Sequence, residues 1–95
     1  MTSKQRAYLR GLANRIEAIL QVGKSGINDN LIKQVDDALE ARELIKLSVL
    51  ETAPDGIKDI AIELAEKTNA EVVQTIGSKI TLYREKKKNP KIILN

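Results

Sequence analysis

The 95-residue chain contains no cysteine and no histidine. Without cysteine it has no disulfide, no thiol nucleophile and no thiolate ligand for a metal. Without histidine it lacks the commonest general base and the commonest metal ligand in proteins. Both absences argue against an enzyme, and we expect neither catalysis nor a bound cofactor.

Aromatic side chains are almost absent, because the chain has no tryptophan or phenylalanine and its only aromatics are Tyr8 and Tyr83. Stacking of nucleic-acid bases on an aromatic platform therefore cannot be the main mode of binding. Tyr8 is spaced to pack beside Leu12. Tyr83 alternates along a predicted strand, which leaves open exposure and a single stacking contact.

Long hydrophobic runs are missing as well. No segment approaches the roughly 20 apolar residues that span a bilayer, and none resembles a signal peptide. Apolar residues make up 42% of the chain and charged residues 31%, a globular balance. We expect one domain over residues 1–95, in which 85–95 form a basic tail, and a cytoplasmic protein that is a monomer by default.

The charge is segregated along the chain, although the net value is only +3. Residues 1–27 carry a net +4, residues 28–71 a net −6 and residues 72–95 a net +5. If the two ends meet in space, they form one basic face with the acidic middle segment turned elsewhere. Such a face is typical of a protein that binds a phosphate backbone. Charge alone leaves an ordinary solvated surface equally open.

Hydrophobic periodicity predicts three helices and four strands. Spacings of three and four residues predict helices over 3–16, 29–41 and 57–68, with Ser3 as the first N-cap. Alternating apolar residues predict strands over 17–22, 43–50, 72–76 and 80–83. Gly77-Ser78 suits a type II′ hairpin turn. The order αβαβαββ predicts an α/β (α+β) domain in which helices pack on a four-stranded mixed sheet.

The most informative segment is Val22-Gly23-Lys24-Ser25-Gly26-Ile27, between a predicted strand and a predicted helix. Glycines allow another backbone to approach closely, and a helix N-terminus favours an anion. The spacing fits neither a Walker loop nor a dinucleotide fingerprint. It is nearest to the GxxG loop of KH domains, although that loop joins two helices. Taken alone, the motif leaves open a tight turn without a ligand.

Other segments accompany this loop. They are Ser3-Lys4-Gln5-Arg6, Leu9-Arg10, Ala13-Asn14 and the run from Gly77 through Leu82-Tyr83-Arg84. Together with the loop they resemble the CRM domain of chloroplast RNA splicing and ribosome maturation factors, above all its stand-alone bacterial form, the YhbY family. Glu17-Ala18 departs from the pattern, since a residue followed by proline is expected there.

The resemblance implies a fold similar to the C-terminal domain of translation initiation factor three. It also implies binding to ribosomal RNA and assistance in large ribosomal subunit assembly, through the loop and the adjacent basic surface. The RNA-binding residues implied by position, with neighbouring basic residues added, are Gly23, Lys24, Ser25, Gly26, Lys4, Arg6, Arg10 and Arg84.

Two other classes of function are weighed against RNA binding. A protein–protein adaptor would use the acidic helices 29–41 and 57–67, or the apolar residues Ile92 to Leu94. An enzyme would need paired carboxylates, but adjacent residues such as Asp36 and Asp37 point about 100° apart on a helix and do not share a site.

Overall fold

A computed structural model describes residues 1–94, so Asn95, the last residue of the predicted tail, lies outside the described residues. The predicted order αβαβαββ is confirmed. The elements are α1 (Ser3–Ala13), β1 (Ala18–Val22), α2 (Asp29–Arg42), β2 (Leu44–Val49), α3 (Ile57–Thr68), β3 (Glu71–Ile76) and β4 (Lys79–Tyr83).

The four strands form one mixed sheet in the order β1-β2-β4-β3. β1 and β2 pair in parallel, and β4 pairs antiparallel with both β2 and β3. The Ile76–Lys79 pair closes a two-residue turn in which Gly77 has φ +57 and Ser78 has no positive φ. That combination fits the predicted type II′ turn, because type I′ needs positive φ at both positions.

Helix α1 differs from its prediction at both ends. Thr2 rather than Ser3 is the N-cap: its Oγ1 accepts a hydrogen bond from the Gln5 backbone, and the Gln5 side chain accepts one from Thr2 N–H. This is a capping box. The helix ends at Ala13, and Ile16 N–H then bonds to Ala13 O at 3.2 Å in a tighter turn. That turn keeps Ile16 against the core, which explains why the periodicity predicted a longer helix.

The sheet has two different faces. The main core lies between one face and helices α2 and α3. It consists of Val22, Leu31, Val35, Leu39, Ile45, Leu47, Ile60, Ala61, Leu64, Ala65, Ile80 and Leu82. A smaller cluster, Leu9, Ala13, Leu44, Val73 and Tyr83, lies between α1 and the other face. These sheet residues come from one end of their strands, so α1 covers only part of its face.

Tyr83 is buried in the smaller cluster, so of the two alternatives that the sequence left open, the exposed tyrosine is excluded. It pairs with Leu44 on the neighbouring strand, at the end of the sheet where α1 packs. Burial raises the pKa of the Tyr83 hydroxyl, and the nearby carboxylates of Glu43 and Glu85 raise it further. The side chain contributes to the core and is not a stacking platform.

A candidate nucleic-acid interface

The GxxG loop, Gly23–Gly26, is a closed turn at the end of β1. Gly26 N–H donates to Gly23 O at 2.9 Å. Gly26 has φ +63, and a Cβ at this position would lie 2.9 Å from Pro54 Cγ. A Cβ at Gly23 would make only an ordinary contact, 3.5 Å from Leu50 Cδ1. The loop conformation therefore requires glycine at position 26. At position 23 there is room for a Cβ, so sterics do not require glycine there.

Between these glycines, Lys24 and Ser25 are exposed and have no side-chain partner within residues 1–94. They line a shallow depression together with Gln21 and Asn28. The ammonium and the hydroxyl are therefore available to an anion at this point of the surface.

Helix α2 contributes less to this site than the sequence suggests. It begins at Asp29, three residues after Gly26, and carries that carboxylate in its first turn. The Asn28 side chain already accepts a hydrogen bond from Leu31 N–H at 2.8 Å. One free N–H of α2 therefore already has an acceptor, and the carboxylate of Asp29 already lies at the positive end of the helix dipole.

The two arginines predicted on α1 have different environments. Arg6 is half-buried, and its guanidinium donates to the backbone oxygens of Val72 and Val73, where β3 has a bulge. It therefore ties α1 to an edge strand. Arg10 is exposed and has no partner within residues 1–94, and Lys4 is likewise exposed. These two side chains remain available to a ligand.

Arg84 is not brought together with the loop. Its guanidinium donates to Asp36 Oδ1 at 2.5 Å, Glu40 Oε1 at 3.3 Å and Thr68 O at 2.8 Å. Its side chain is 16% exposed. Arg84 joins β4 to the C-terminal halves of α2 and α3, whereas the loop precedes the N-terminus of α2.

Sequence reasoning missed Glu43, which organises the C-terminal residues. Glu43 is buried, follows α2 with φ 66, and was predicted as the first residue of a strand. Its carboxylate accepts three backbone hydrogen bonds from the tail: from Lys86 at 3.2 Å, Lys91 at 2.6 Å and Ile92 at 2.9 Å. The neighbouring Glu40 accepts one more, from Lys87 at 3.2 Å. No sequence pattern marks a carboxylate that binds backbone 43 to 49 residues away.

Two opposing effects act on the Glu43 carboxyl. Burial favours the neutral acid and raises the pKa, whereas the N–H bonds from Ile92, Lys86 and Lys91 favour the carboxylate. The charge of Lys86 adds to the second effect. The net pKa lies below its ordinary value, so Glu43 is ionised at neutral pH and holds the tail as an anion.

The structure brings the two basic ends of the chain together. Ile92 and Leu94 pack against the cluster that contains Leu9 of α1, and Leu94 also lines a groove with Lys4. The exposed acids of α2 and α3 belong to the layer on the opposite sheet face; they are Asp29, Asp36, Asp37, Asp59, Glu63 and Glu66. The sheet therefore separates α1 from the acids of α2 and α3, whereas Arg84 and the backbone of the tail contact acids at the C-terminal end of α2.

The family model described as the CRS1/YhbY (CRM) domain matches residues 1–84. The chain belongs to the CRS1/YhbY (CRM) family. The CRM chain is 49% identical over 94 residues to the "Probable RNA-binding protein YqeI" of Bacillus subtilis, which covers 99% of this chain and 98% of that protein.

Two further similarities agree with this assignment. An "RNA-binding protein" of Haemophilus influenzae is 31% identical over 84 residues, covering 88% of this CRM chain and 85% of that protein. The solution structure of the Staphylococcus aureus protein SAV1595 superposes with a TM-score of 0.84 at 54% identity, covering 100% of this chain and 99% of that one. The expected family and fold are thus confirmed.

Within residues 1–94 of this CRM chain, no three His, Cys, Asp or Glu side chains are grouped so that they could bind a metal ion. Among the helices of the same residues, none combines the length and apolar character needed to cross a membrane.

Proposed function

We propose that this CRM domain is a non-enzymatic, monomeric RNA-binding protein that binds ribosomal RNA in cytoplasmic precursors of the large ribosomal subunit. The observation that carries the proposal is the set of unpaired cations on the GxxG loop and α1, in a molecule whose acidic helices cover the opposite sheet face. Relatives described as RNA-binding proteins support RNA as the ligand.

The loop is the part of this surface best suited to a phosphate group. Lys24 supplies a charge and Ser25 a hydroxyl donor, and both lie exposed on a turn whose backbone Gly26 allows. Lys4 and Arg10 extend the positive surface along α1. Arg6 and Arg84 add positive potential, but their guanidinium groups are already engaged within the protein.

Binding of this type depends strongly on salt, because each phosphate that is neutralised releases counterions. If roughly five phosphates of a single strand are contacted, log K should fall with log salt with a slope of about −3 to −4. A protein–protein adaptor that used the acidic helices would bind its partner at high salt and would ignore RNA.

Sedimentation of a cell extract through a low-salt sucrose gradient tests the proposal. The protein is expected to migrate with incomplete large-subunit particles and to leave them when salt is raised. A Lys24→Asp/Ser25→Asp variant is the matched control and is expected to remain at the top of the gradient. Migration of the wild-type protein at the top in low salt would overturn the assignment to ribosome precursors.

A further inference from the structure

Helix α1 packs on only one end of its sheet face, and no helix of residues 1–94 packs on the other end of that face. α1 packs on the row formed by Leu44 and Tyr83. Side chains alternate along a strand, so the same face continues through the next two rows towards the GxxG loop. These rows, named here the open sheet half, contain Ala18, Gln21, Lys46, Ser48, Gln74, Ile76, Lys79 and Thr81.

The open sheet half is mostly polar and carries charge of one sign only. Its two charged residues are Lys46 and Lys79, four further members carry amides or hydroxyls, and Ala18 and Ile76 at its edges are apolar. None of the eight is an acid, although the chain has 13 acidic residues. Lys79 is exposed and its Nζ donates to Ser48 Oγ at 2.5 Å, which places the ammonium over the strands.

This surface is continuous with the loop at one end and with α1 at the other. Gln21 pairs in register with Ser48 and also lines the depression beside Lys24. In the other direction Lys46, which pairs with Thr81, is two residues along β2 from Leu44, where α1 packs. A ligand that leaves the loop towards α1 must cross these side chains.

The spacing of the two lysines fits a sugar–phosphate backbone. Lys46 pairs with Thr81 and Lys79 with Ser48, so the lysines are diagonal neighbours on adjacent strands. Diagonal neighbours are about 7–8 Å apart, which is comparable to the spacing of successive phosphates along one strand. The exposed amide of Gln21 and the half-buried amide of Gln74 can bond to ribose 2′-hydroxyls, whereas the hydroxyls of Ser48 and Thr81 are buried.

We propose that the open sheet half binds the sugar–phosphate backbone of a single RNA strand that runs from the GxxG loop towards α1. This inference rests on the proposed function and adds the path of the strand. RNA-recognition motifs place aromatic residues on their sheet to stack bases, whereas this half has none. Its contacts are therefore to the backbone and do not depend on base sequence.

The test compares two double variants of the full-length protein that remove the same charge. Lys46→Gln/Lys79→Gln changes the open sheet half, and Lys58→Gln/Lys67→Gln changes exposed lysines on α3, in the opposite layer. Fluorescence anisotropy with a labelled single-stranded oligouridine, across a salt series, gives affinity and salt slope. We expect the first variant to bind about 3- to 10-fold more weakly, with a slope smaller by about 1.4, since each phosphate on a single strand contributes about 0.7.

The control variant is expected to keep the wild-type slope and to change affinity less than twofold. Lys46→Arg/Lys79→Arg retains both charges and is expected to bind like the wild type. Thermal denaturation checks that each variant is folded. If Lys46→Gln/Lys79→Gln does not fold, NMR spectra of the wild-type protein replace it: the side-chain amides of Gln21 and Gln74 are expected to shift when the oligouridine is added.

The possible failures are distinguishable. If the wild-type protein binds no RNA, the proposed function fails and this inference fails with it. If the wild type binds RNA and the Lys24→Asp/Ser25→Asp variant does not, but the sheet variant matches the α3 control, the loop assignment stands and the path across the sheet is overturned. Unshifted Gln21 and Gln74 amides at saturating RNA would overturn it equally.

Discussion

The two ends of the sheet use basic residues in opposite ways. At the end where β1 enters the GxxG loop, Lys24 has no acidic partner within residues 1–94. At the end where β4 enters the tail, Arg84 bonds to Asp36 and Glu40, and backbone N–H groups of the tail bond to Glu43. The cation at the loop end is available to a ligand. At the tail end, these charged side chains are engaged in hydrogen bonds and ion pairs that stabilise the fold.

This difference shows that a count of charges cannot locate a binding surface. Arg84 contributes to the basic C-terminal segment in the sequence, but in the structure it neutralises acids of α2. Lys46 belongs to the acidic middle segment of the sequence, yet it lies on the sheet face on which α1 packs. The useful quantity is the number of cations without an internal partner.

The largest effect is expected at the tail end, from Glu43→Ala. Alanine retains the Cβ and therefore the same backbone preferences at a residue with φ 66, but it lacks the side chain beyond Cβ, so three N–H groups lose a charged acceptor. Hydrogen bonds to charged groups are worth about 1.5–3 kcal/mol each and are not additive, so we expect a loss of about 3 kcal/mol in the free energy of unfolding. Chemical denaturation measures it.

Amide hydrogen exchange provides the local readout for the same variant. The amides of Lys86, Lys91 and Ile92 should exchange much faster in Glu43→Ala than in the wild type. If their exchange is unchanged, Glu43 does not hold the tail and the contrast between the two ends of the sheet is lost.

A smaller loss of stability is expected at the loop end, from Gly26→Ala. The change forces a left-handed backbone on alanine and places its Cβ against the Pro54 ring. The backbone cost alone is about 1–2 kcal/mol, and we expect about 2 kcal/mol in total. Gly23→Ala is the matched control and should change the free energy of unfolding by less than about 1 kcal/mol, because its Cβ meets only an ordinary contact. Equal losses in the two variants would contradict this view of the loop.

A loss of binding without a loss of stability is expected from Lys24→Asp/Ser25→Asp. Both side chains are exposed and the glycines are kept, so the fold should survive. Two carboxylates where a phosphate would bind should weaken RNA affinity about tenfold, or 1.4 kcal/mol. Lys58→Asp/Lys67→Gln on α3 changes the net charge by the same amount and should bind nearly as the wild type does. Unchanged affinity of the loop variant would mean that the loop is only a turn.

Still smaller effects are expected from the two arginines of α1: one on RNA binding, the other on stability. Arg10→Gln should weaken RNA binding about two- to threefold, or roughly 0.5 kcal/mol, and leave the melting temperature unchanged. Arg6→Gln should lower the free energy of unfolding by about 1 kcal/mol, because its bonds to Val72 and Val73 are lost. If Arg6→Gln is as stable as Arg10→Gln, then Arg6 is not a structural residue.

The smallest effect concerns pH. The folded pKa of Glu43 lies below its ordinary value of 4.5, so its contribution to stability is present above that pH and is lost as pH falls through the folded pKa. Between neutral pH and pH 5 the contribution should be constant. Below pH 4.5 the wild type should lose more stability than Glu43→Ala, as measured by urea denaturation at each pH. Parallel pH profiles for the two proteins would contradict the assignment.

The helices and strands could be predicted from the sequence because apolar spacing and capping residues lie within each element. Apolar spacing identified all three helices and four strands, and Asn69, the expected end of α3, indeed adopts the left-handed cap. The position of the GxxG loop between β1 and α2 was also predictable. The environments of Arg6, Glu43 and Tyr83 were not, because each depends on a partner on another element that only the folded chain brings near.

The order of the strands also affects how the molecule can fold. β4 is the last strand along the chain but lies between β2 and β3, and it pairs with both. Until it is in place, β3 has no strand to pair with and β2 has a free edge. A chain emerging from a ribosome could form the β1–α2–β2 unit early, but the sheet would close only after Tyr83 had left the exit tunnel. Completion of the fold is therefore expected to be a late and cooperative event, governed by contacts distant in sequence.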